Sequence, residues 1–233
     1  MTTKSVVNFI SGGASTCVSI IGGELPGGIL FDATQTVAII ADSHDIDGIQ
    51  NVMAAEFPKE HIHVVNPGSD FAERILVVLD VYKPDFFHQL GWMPQMPEEV
   101  LARYVGLNQH LGPGGKWMFG VRRVYAHMRF CQEVGRIIPI QVFCQLVDPA
   151  YDAGKIVYAE SVNLDFTQTP EYNAKMLLLS IEHEVQIRGR MEMAHRFNPE
   201  LADNPANIAQ NPAEEEILFK MKKEARDRYP RKV

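Results

Sequence analysis

Val6-Val7-Asn8-Phe9-Ile10 runs directly into Ser11-Gly12-Gly13-Ala14-Ser15-Thr16, and this junction decides the fold. The first five residues form a short, β-branched, nearly continuous apolar run, as expected of a strand buried on both faces of a parallel sheet. The glycine-rich turn opens a helical stretch from Cys17 to Ile21, after which Gly22-Gly23 and Pro26-Gly27-Gly28 are expected to break the chain. Such a strand–turn–helix junction can cradle a phosphate with backbone N–H groups. It is neither G-x-G-x-x-G nor a P-loop, since the P-loop lysine is absent.

The alternation continues outward from that junction. Thr36 to Ala41 reads as a second strand, and Asp42-Ser43-His44-Asp45 supplies a cap for a helix over Ile46 to Phe57. Ile62 to Val65 is a third strand, with a helix over Ser69 to Tyr82. Lys83-Pro84-Asp85 introduces a fourth strand, Phe86 to Leu90. A short helix over Pro97 to Tyr104 precedes a fifth strand, Val105 to Asn108. Strands separated by helices imply an α/β, Rossmann-like, mostly parallel sheet with helices on both faces. Beyond a helix over Val121 to Gly135 the pattern changes. Ile138 to Val147 and Lys155 to Leu164 are two β-rich runs joined by Asp148-Pro149-Ala150-Tyr151-Asp152-Ala153-Gly154, a C-terminal β-hairpin that closes the sheet. Thr169-Pro170-Glu171 starts a long helix reaching Arg196. Phe197 to Pro212 reads as an extended loop and Ala213 to Tyr229 as a helix, acidic at its start and basic at its end. That polarity suits the helix dipole and marks the basic tail as structural. The chain therefore divides into an α/β catalytic domain, 1–196, and a loop with a charged C-terminal helix, 197–233.

Composition limits the function classes. The 233 residues carry a formal net charge of -7, which gives no electrostatic footprint for a nucleic-acid backbone. Cys17, Cys131 and Cys144 are scattered without a C-x-x-C pair, so the sequence suggests neither a disulfide framework nor a zinc site. No apolar run has the length to span a bilayer, and the start of the chain does not read as a signal peptide. The expected location is the cytoplasm, with no nucleic-acid or membrane partner. A homodimer is compatible with the sequence.

Leu107-Asn108-Gln109-His110 stands at the carboxyl end of the fifth strand, where ligands sit in open α/β sheets. Residues two apart on a strand share a face, so Asn108 and His110 project together. An amide beside an imidazole can stabilise an oxyanion and move a proton, although polar residues at a strand end are also ordinary loop chemistry. Asp152, followed by Ala153-Gly154, reads equally well as a plain turn aspartate.

Taken in order, Asn108, His110 and Asp152 resemble the folate-dependent formyltransferases, and among them the enzymes that act on glycinamide ribonucleotide. The resemblance spans Val6 to Arg188. It includes the Ser11-Gly12-Gly13-Ala14-Ser15 turn, Lys83-Pro84-Asp85, Leu90-Gly91-Trp92-Met93, the stretch Val147 to Val157, and Ile181-Glu182-His183. It implies the formyltransferase fold and 10-formyltetrahydrofolate as formyl donor. It also implies a small-molecule amine acceptor, a phosphorylated ribonucleotide. The residues it assigns are Asn108, His110 and Asp152 for catalysis; Gly12, Gly13, Ala14, Ser15 and Thr16 for the substrate phosphate; Glu182 for the ribose; and Trp92, Met93, Val147 and Asp148 for the folate. The chemistry it implies needs no metal. Asn108 and a protonated His110 would donate to the formyl oxygen, and Asp152 would raise the imidazole pKa and relay protons.

Three departures from the family pattern stand out. Leu111-Gly112-Pro113-Gly114-Gly115-Lys116-Trp117-Met118-Phe119-Gly120 replaces a Pro-Ser-Leu-Leu-Pro segment. Met93-Pro94-Gln95 replaces a Met-Arg, and Gln145 stands where the family has a His. Lys116, Arg122 and Arg123 are then alternative holders of a phosphate. The other readings of the same residues are formylation of a nucleotide-linked amino sugar, hydrolysis of formyl-folate, and a non-catalytic folate- or nucleotide-binding module.

Overall fold

The computed structural model describes residues 2–115, 117–150, 152–196 and 207–230. Lys116, Tyr151 and positions 197–206 of the expected loop lie outside the described residues.

Among the described residues seven strands form one sheet: β1 (Lys4–Ile10), β2 (Thr34–Ala41), β3 (Ile62–Val64), β4 (Phe86–Leu90), β5 (Gly106–Leu111), β6 (Ile140–Leu146) and β7 (Ile156–Val162). Their spatial order is β3-β2-β1-β4-β5-β6-β7. β1 to β5 pair in parallel, whereas β5–β6 and β6–β7 pair antiparallel, so the expected hairpin caps one edge. This is the expected mixed, mostly parallel α/β sheet. β1 lies between β2 and β4, and the order of strands reverses there. Such a reversal leaves a crevice beyond the carboxyl ends of the strands, where ligands bind.

The helices are α1 (Ser15–Glu24), α2 (Asp47–Ala54), α3 (Phe71–Tyr82), α4 (Glu98–Leu101), α5 (Val121–Val134), α6 (Pro170–Leu177), α7 (His183–Arg196) and α8 (Pro212–Arg228). Side-chain alternation along β1 assigns its two faces. Val7 and Phe9 pack with Ala38 and Ile40 under α3 and α4, and Ile10 packs with Ile39 and Ala41 under α1 and α2. On the second face α7 lies so close to β6 that a Cβ on Gly189 would come within 2.4 Å of Cys144 Cβ. A side chain at that position would force the helix away from the sheet.

Four elements differ from the sequence expectation. The run Asp42 to Asp45 gives α2 no side-chain cap, and Ile46 stands at its start. α1 does not stop at Gly22-Gly23 but runs to Glu24. The Glu24 carboxylate there accepts from Thr36 N and Thr34 Oγ1, each at 2.8 Å, and pairs with Arg190. These tertiary contacts outweigh the weak helix propensity of the two glycines. The helix expected over Pro97 to Tyr104 is a single turn, Glu98–Leu101, closed by further turns at Ala102 and Arg103. The long helix is interrupted by a π-helical segment, Leu178–Glu182, between α6 and α7. A π segment rotates the side chains of a helix, and here it contains the buried Glu182.

Arg190 is fully buried beneath β1 and β2. Its guanidinium donates to Asn8 Oδ1 at 2.7 Å, Thr34 Oγ1 at 2.9 Å and Thr36 Oγ1 at 3.0 Å, besides the Glu24 pair. Periodicity gave no sign of this network. At the other end of the fold, Leu218, Met221 and Ala225 of α8 are buried against Met118, Ala126 and Phe130. The C-terminal helix thus packs onto α5 and the loop before it. No helix among the described residues is long and apolar enough to cross a membrane.

Candidate active site

A cavity of about 980 Å³ opens at the carboxyl ends of β1, β4 and β5. β5 presents Asn108 and His110 to it, two residues apart and therefore on one face, as the sequence pattern requires. Asp152 reaches them from the β6–β7 turn. Gly154 makes that possible: a Cβ there would lie 1.7 Å from Leu146 O, so the returning chain hugs the end of β6. Asp152 itself adopts a left-handed φ of 53°, which Asp tolerates better than most residues.

The three side chains assigned to catalysis meet at one carboxylate. Asp152 Oδ1 lies 3.1 Å from His110 Nδ1 and 3.5 Å from Asn108 Nδ2, and Oδ2 accepts the Gly115 N–H at 2.9 Å. Arg123 Nη1 also approaches His110 Nδ1, at 3.5 Å. The shorter contact with the carboxylate favours a proton on Nδ1. Nε2, itself buried, is then the basic nitrogen, and the Pro113 backbone also hydrogen-bonds the ring.

The expected protonated imidazole is not what this environment favours. His110 is pushed down to about 4, chiefly by burial; Asp152 and a backbone hydrogen bond with Pro113 oppose that shift, and Arg123 and Lys222 add to it. Removing water from the charged form costs more here than one carboxylate returns. This environment favours the neutral imidazole at neutral pH.

Glu182 is buried, and its Oε1 accepts from Gln109 Nε2 at 2.6 Å. One oxygen of the carboxylate assigned to a ribose is therefore already engaged by the residue between Asn108 and His110. Gln145, buried opposite Asn108 in the β5–β6 ladder, lines the same cavity.

At the far end of the cavity, Gly13, Ala14, Ser15 and Thr16 form part of the wall, while Gly12 stands behind it. Gly12 and Ala14 have left-handed φ values of 64° and 52°. Gly12 O accepts Gly48 N at 2.8 Å, and Gly13 O accepts Asn51 Nδ2 at 2.9 Å, so α2 holds the turn from behind. No side chain caps the N-terminus of α1. Ser15 Oγ lies 3.3 Å from His183 Nε2, whose other nitrogen contacts Ser19 Oγ at 3.0 Å.

Trp92, Met93, Val147 and Asp148 all line the cavity. The Trp92 ring also belongs to the core, edge-on to Phe9 at 5.1 Å and stacked on Phe71 at 6.2 Å. Its buried Nε1 has no partner among the described residues. Met93 N donates to Ser11 Oγ at 3.1 Å, and Asp148 Oδ1 accepts Ala150 N at 2.9 Å in a local turn. Of the alternative phosphate holders, Arg122 donates to Tyr229 O at 2.7 Å and lies over the Phe119 ring. Arg123 faces His110, and Lys116 is outside the described residues. Lys222, which nothing in the sequence singled out, donates to Gly114 O at 2.7 Å beside Asp152.

No protein-family model matches the chain, and no curated protein sequence matches it. Solved structures do. A phosphoribosylglycinamide formyltransferase from Brucella melitensis is 25% identical, with a TM-score of 0.65 over 83% of this chain and 96% of that one. A glycinamide ribonucleotide transformylase from Symbiobacterium toebii is 19% identical, with a TM-score of 0.64 over 82% and 88%. A formyltetrahydrofolate deformylase from Pseudomonas putida KT2440 is 14% identical, with a TM-score of 0.63 over 81% and 64%. The fold is that of the folate-dependent formyltransferases.

Proposed function

We propose that this cavity transfers a formyl group from 10-formyltetrahydrofolate to the amine of a small phosphorylated acceptor, with glycinamide ribonucleotide as the first candidate. The observation that carries the proposal is the meeting of Asn108, His110 and Asp152 at one carboxylate inside a cavity large enough for both substrates. The named neighbours, all of which handle formyl groups or formyltetrahydrofolate, support it.

Asn108 Nδ2 donates to the formyl oxygen as negative charge builds there. His110 Nε2 accepts the proton that the acceptor nitrogen loses as its bond to the formyl carbon forms. It returns that proton to the folate nitrogen as the old carbon–nitrogen bond breaks. Asp152 holds the Nδ1 proton and steadies the imidazolium that exists between the two transfers. Trp92, Met93, Val147 and Asp148 wall the folate, and Gly13 to Thr16 at the uncapped start of α1 offer backbone N–H groups to a phosphate.

A second reading is hydrolysis, with water in place of the amine. The engagement of Glu182 Oε1 by Gln109 favours it, because one oxygen of the carboxylate assigned to the ribose is already occupied. Analysis of the products by mass spectrometry separates the two. Formylated acceptor supports transfer, and free formate with untouched acceptor supports hydrolysis.

A further inference from the structure

We propose that Lys222, on the C-terminal helix, is a positioning residue of this site, acting on Asp152 through the Gly114–Gly115 peptide group. The inference rests on the reading of Asp152 as part of a formyl-transfer site. Lys222 Nζ donates to Gly114 O at 2.7 Å, and Gly115 N donates to Asp152 Oδ2 at 2.9 Å. That carbonyl and that N–H are the two ends of one planar peptide unit, and in a trans peptide they point in opposite directions. The ammonium therefore sits at the negative end of the peptide dipole and the carboxylate at the positive end, and each contact polarises the other.

The loop has little rigidity of its own at this point. Gly112, Gly115 and Gly120 have φ values of 62°, 97° and 54°, in the region open mainly to glycine. An anchor outside the loop is needed to hold the Gly115 N–H on Asp152. α8 supplies it. Leu218, Met221 and Ala225 are buried against Met118, Ala126 and Phe130, so the helix that carries Lys222 has one seating. Arg136 forms a two-pronged pair with Glu214, each bond 3.0 Å, and Arg122 holds Tyr229 O at 2.7 Å. The charges facing His110 are those of Asp152, Arg123 and Lys222, of which Lys222 makes the smallest contribution.

The test compares the full chain with Lys222→Met, Lys222→Gln and Lys223→Met, the last removing an exposed cation from the same helix. Two readouts are taken below the Tm of every variant: formyl-folate turnover, and the NMR shift of the Gly115 amide proton. Lys222→Met is expected to lower kcat about tenfold with KM changed less than about twofold. It should also move the Gly115 amide upfield, toward its position in Asp152→Asn. Lys222→Gln, which keeps a donor without the charge, should fall between, and Lys223→Met should match the parent. An unchanged Gly115 amide and unchanged kcat in folded Lys222→Met would overturn the proposal. A parent without turnover whose Gly115 amide still responds to Lys222→Met would instead remove the formyl-transfer reading and leave the peptide bridge standing.

Discussion

Asp152 Oδ1 stands 3.1 Å from His110 Nδ1, yet His110 is held near pKa 4, below rather than above the usual imidazole range. The pairing orients the ring and fixes its tautomer without making it a cation. In the proposed transfer the carboxylate acts when a proton arrives, by stabilising the imidazolium that would form.

Replacing Asp152 with Asn keeps the shape and removes that stabilisation. The Asp152→Asn protein is expected to lose about 10²- to 10⁴-fold in kcat, the range of a general acid–base contribution. Its folate affinity by calorimetry should stay near the parent value. A matching loss of affinity would assign Asp152 to binding.

The pH profile follows from the sign of the His110 shift. In the proposed reaction the neutral form is the base, and its folded pKa of about 4 lies below the ordinary 6.5. Activity through this group is therefore flat from about pH 8 to 6 and falls only as pH approaches 4. The shift also acts on stability. The unfolded chain takes up a proton on this residue below about 6.5 and the folded chain does not, so the stability from this group declines between about 6.5 and 4 as pH falls. Titration of the His110 ring by NMR checks both. A midpoint near 6.5 would contradict the burial argument.

Gln109 occupies one carboxylate oxygen of Glu182, the group assigned to a ribose. Gln109→Leu removes the 2.6 Å bond and frees the carboxylate. Its stability is expected to drop by about 1–3 kcal/mol, the cost of leaving a buried polar group unpaired. If a ribose binds at Glu182, KM for glycinamide ribonucleotide should fall at the same time. An unchanged KM would place the acceptor's sugar elsewhere or remove it.

Arg190 and Glu24 form a buried pair, with Asn8, Thr34 and Thr36 completing the shell. Arg190→Met leaves Glu24 without its partner and is expected to destabilise the chain by about 3–5 kcal/mol in urea unfolding. A change below about 1 kcal/mol would mean that water or another cation reaches Glu24.

The sheet was legible because most strands are short, largely apolar runs with a glycine, proline or acidic turn beside them, as at Ile10-Ser11-Gly12 and Lys83-Pro84-Asp85. Period-two alternation placed Asn108 beside His110, although only the turned-back chain at Gly154 brings Asp152 to them. Features set by long-range packing were not legible. Gly22-Gly23 signals a helix end, and it was Glu24, held by Arg190 from the far end of the chain, that carried the helix past them. The π segment that contains Glu182 left no mark in the apolar spacing of Leu178, Leu179 and Val185. The neutral state of His110 depends on burial, which a list of neighbouring charges does not reveal. Lys222 looked like one more cation in a basic helix end, and its place beside Gly114 depends on how α8 packs on α5.

The most direct measurement is release of tetrahydrofolate from 10-formyltetrahydrofolate by the purified chain, with and without glycinamide ribonucleotide. The account predicts release that depends on the ribonucleotide and is lost in Asp152→Asn. Release at the same rate without any amine would replace transfer with hydrolysis, and no release under either condition would contradict the assignment of this site to formyl chemistry on that acceptor.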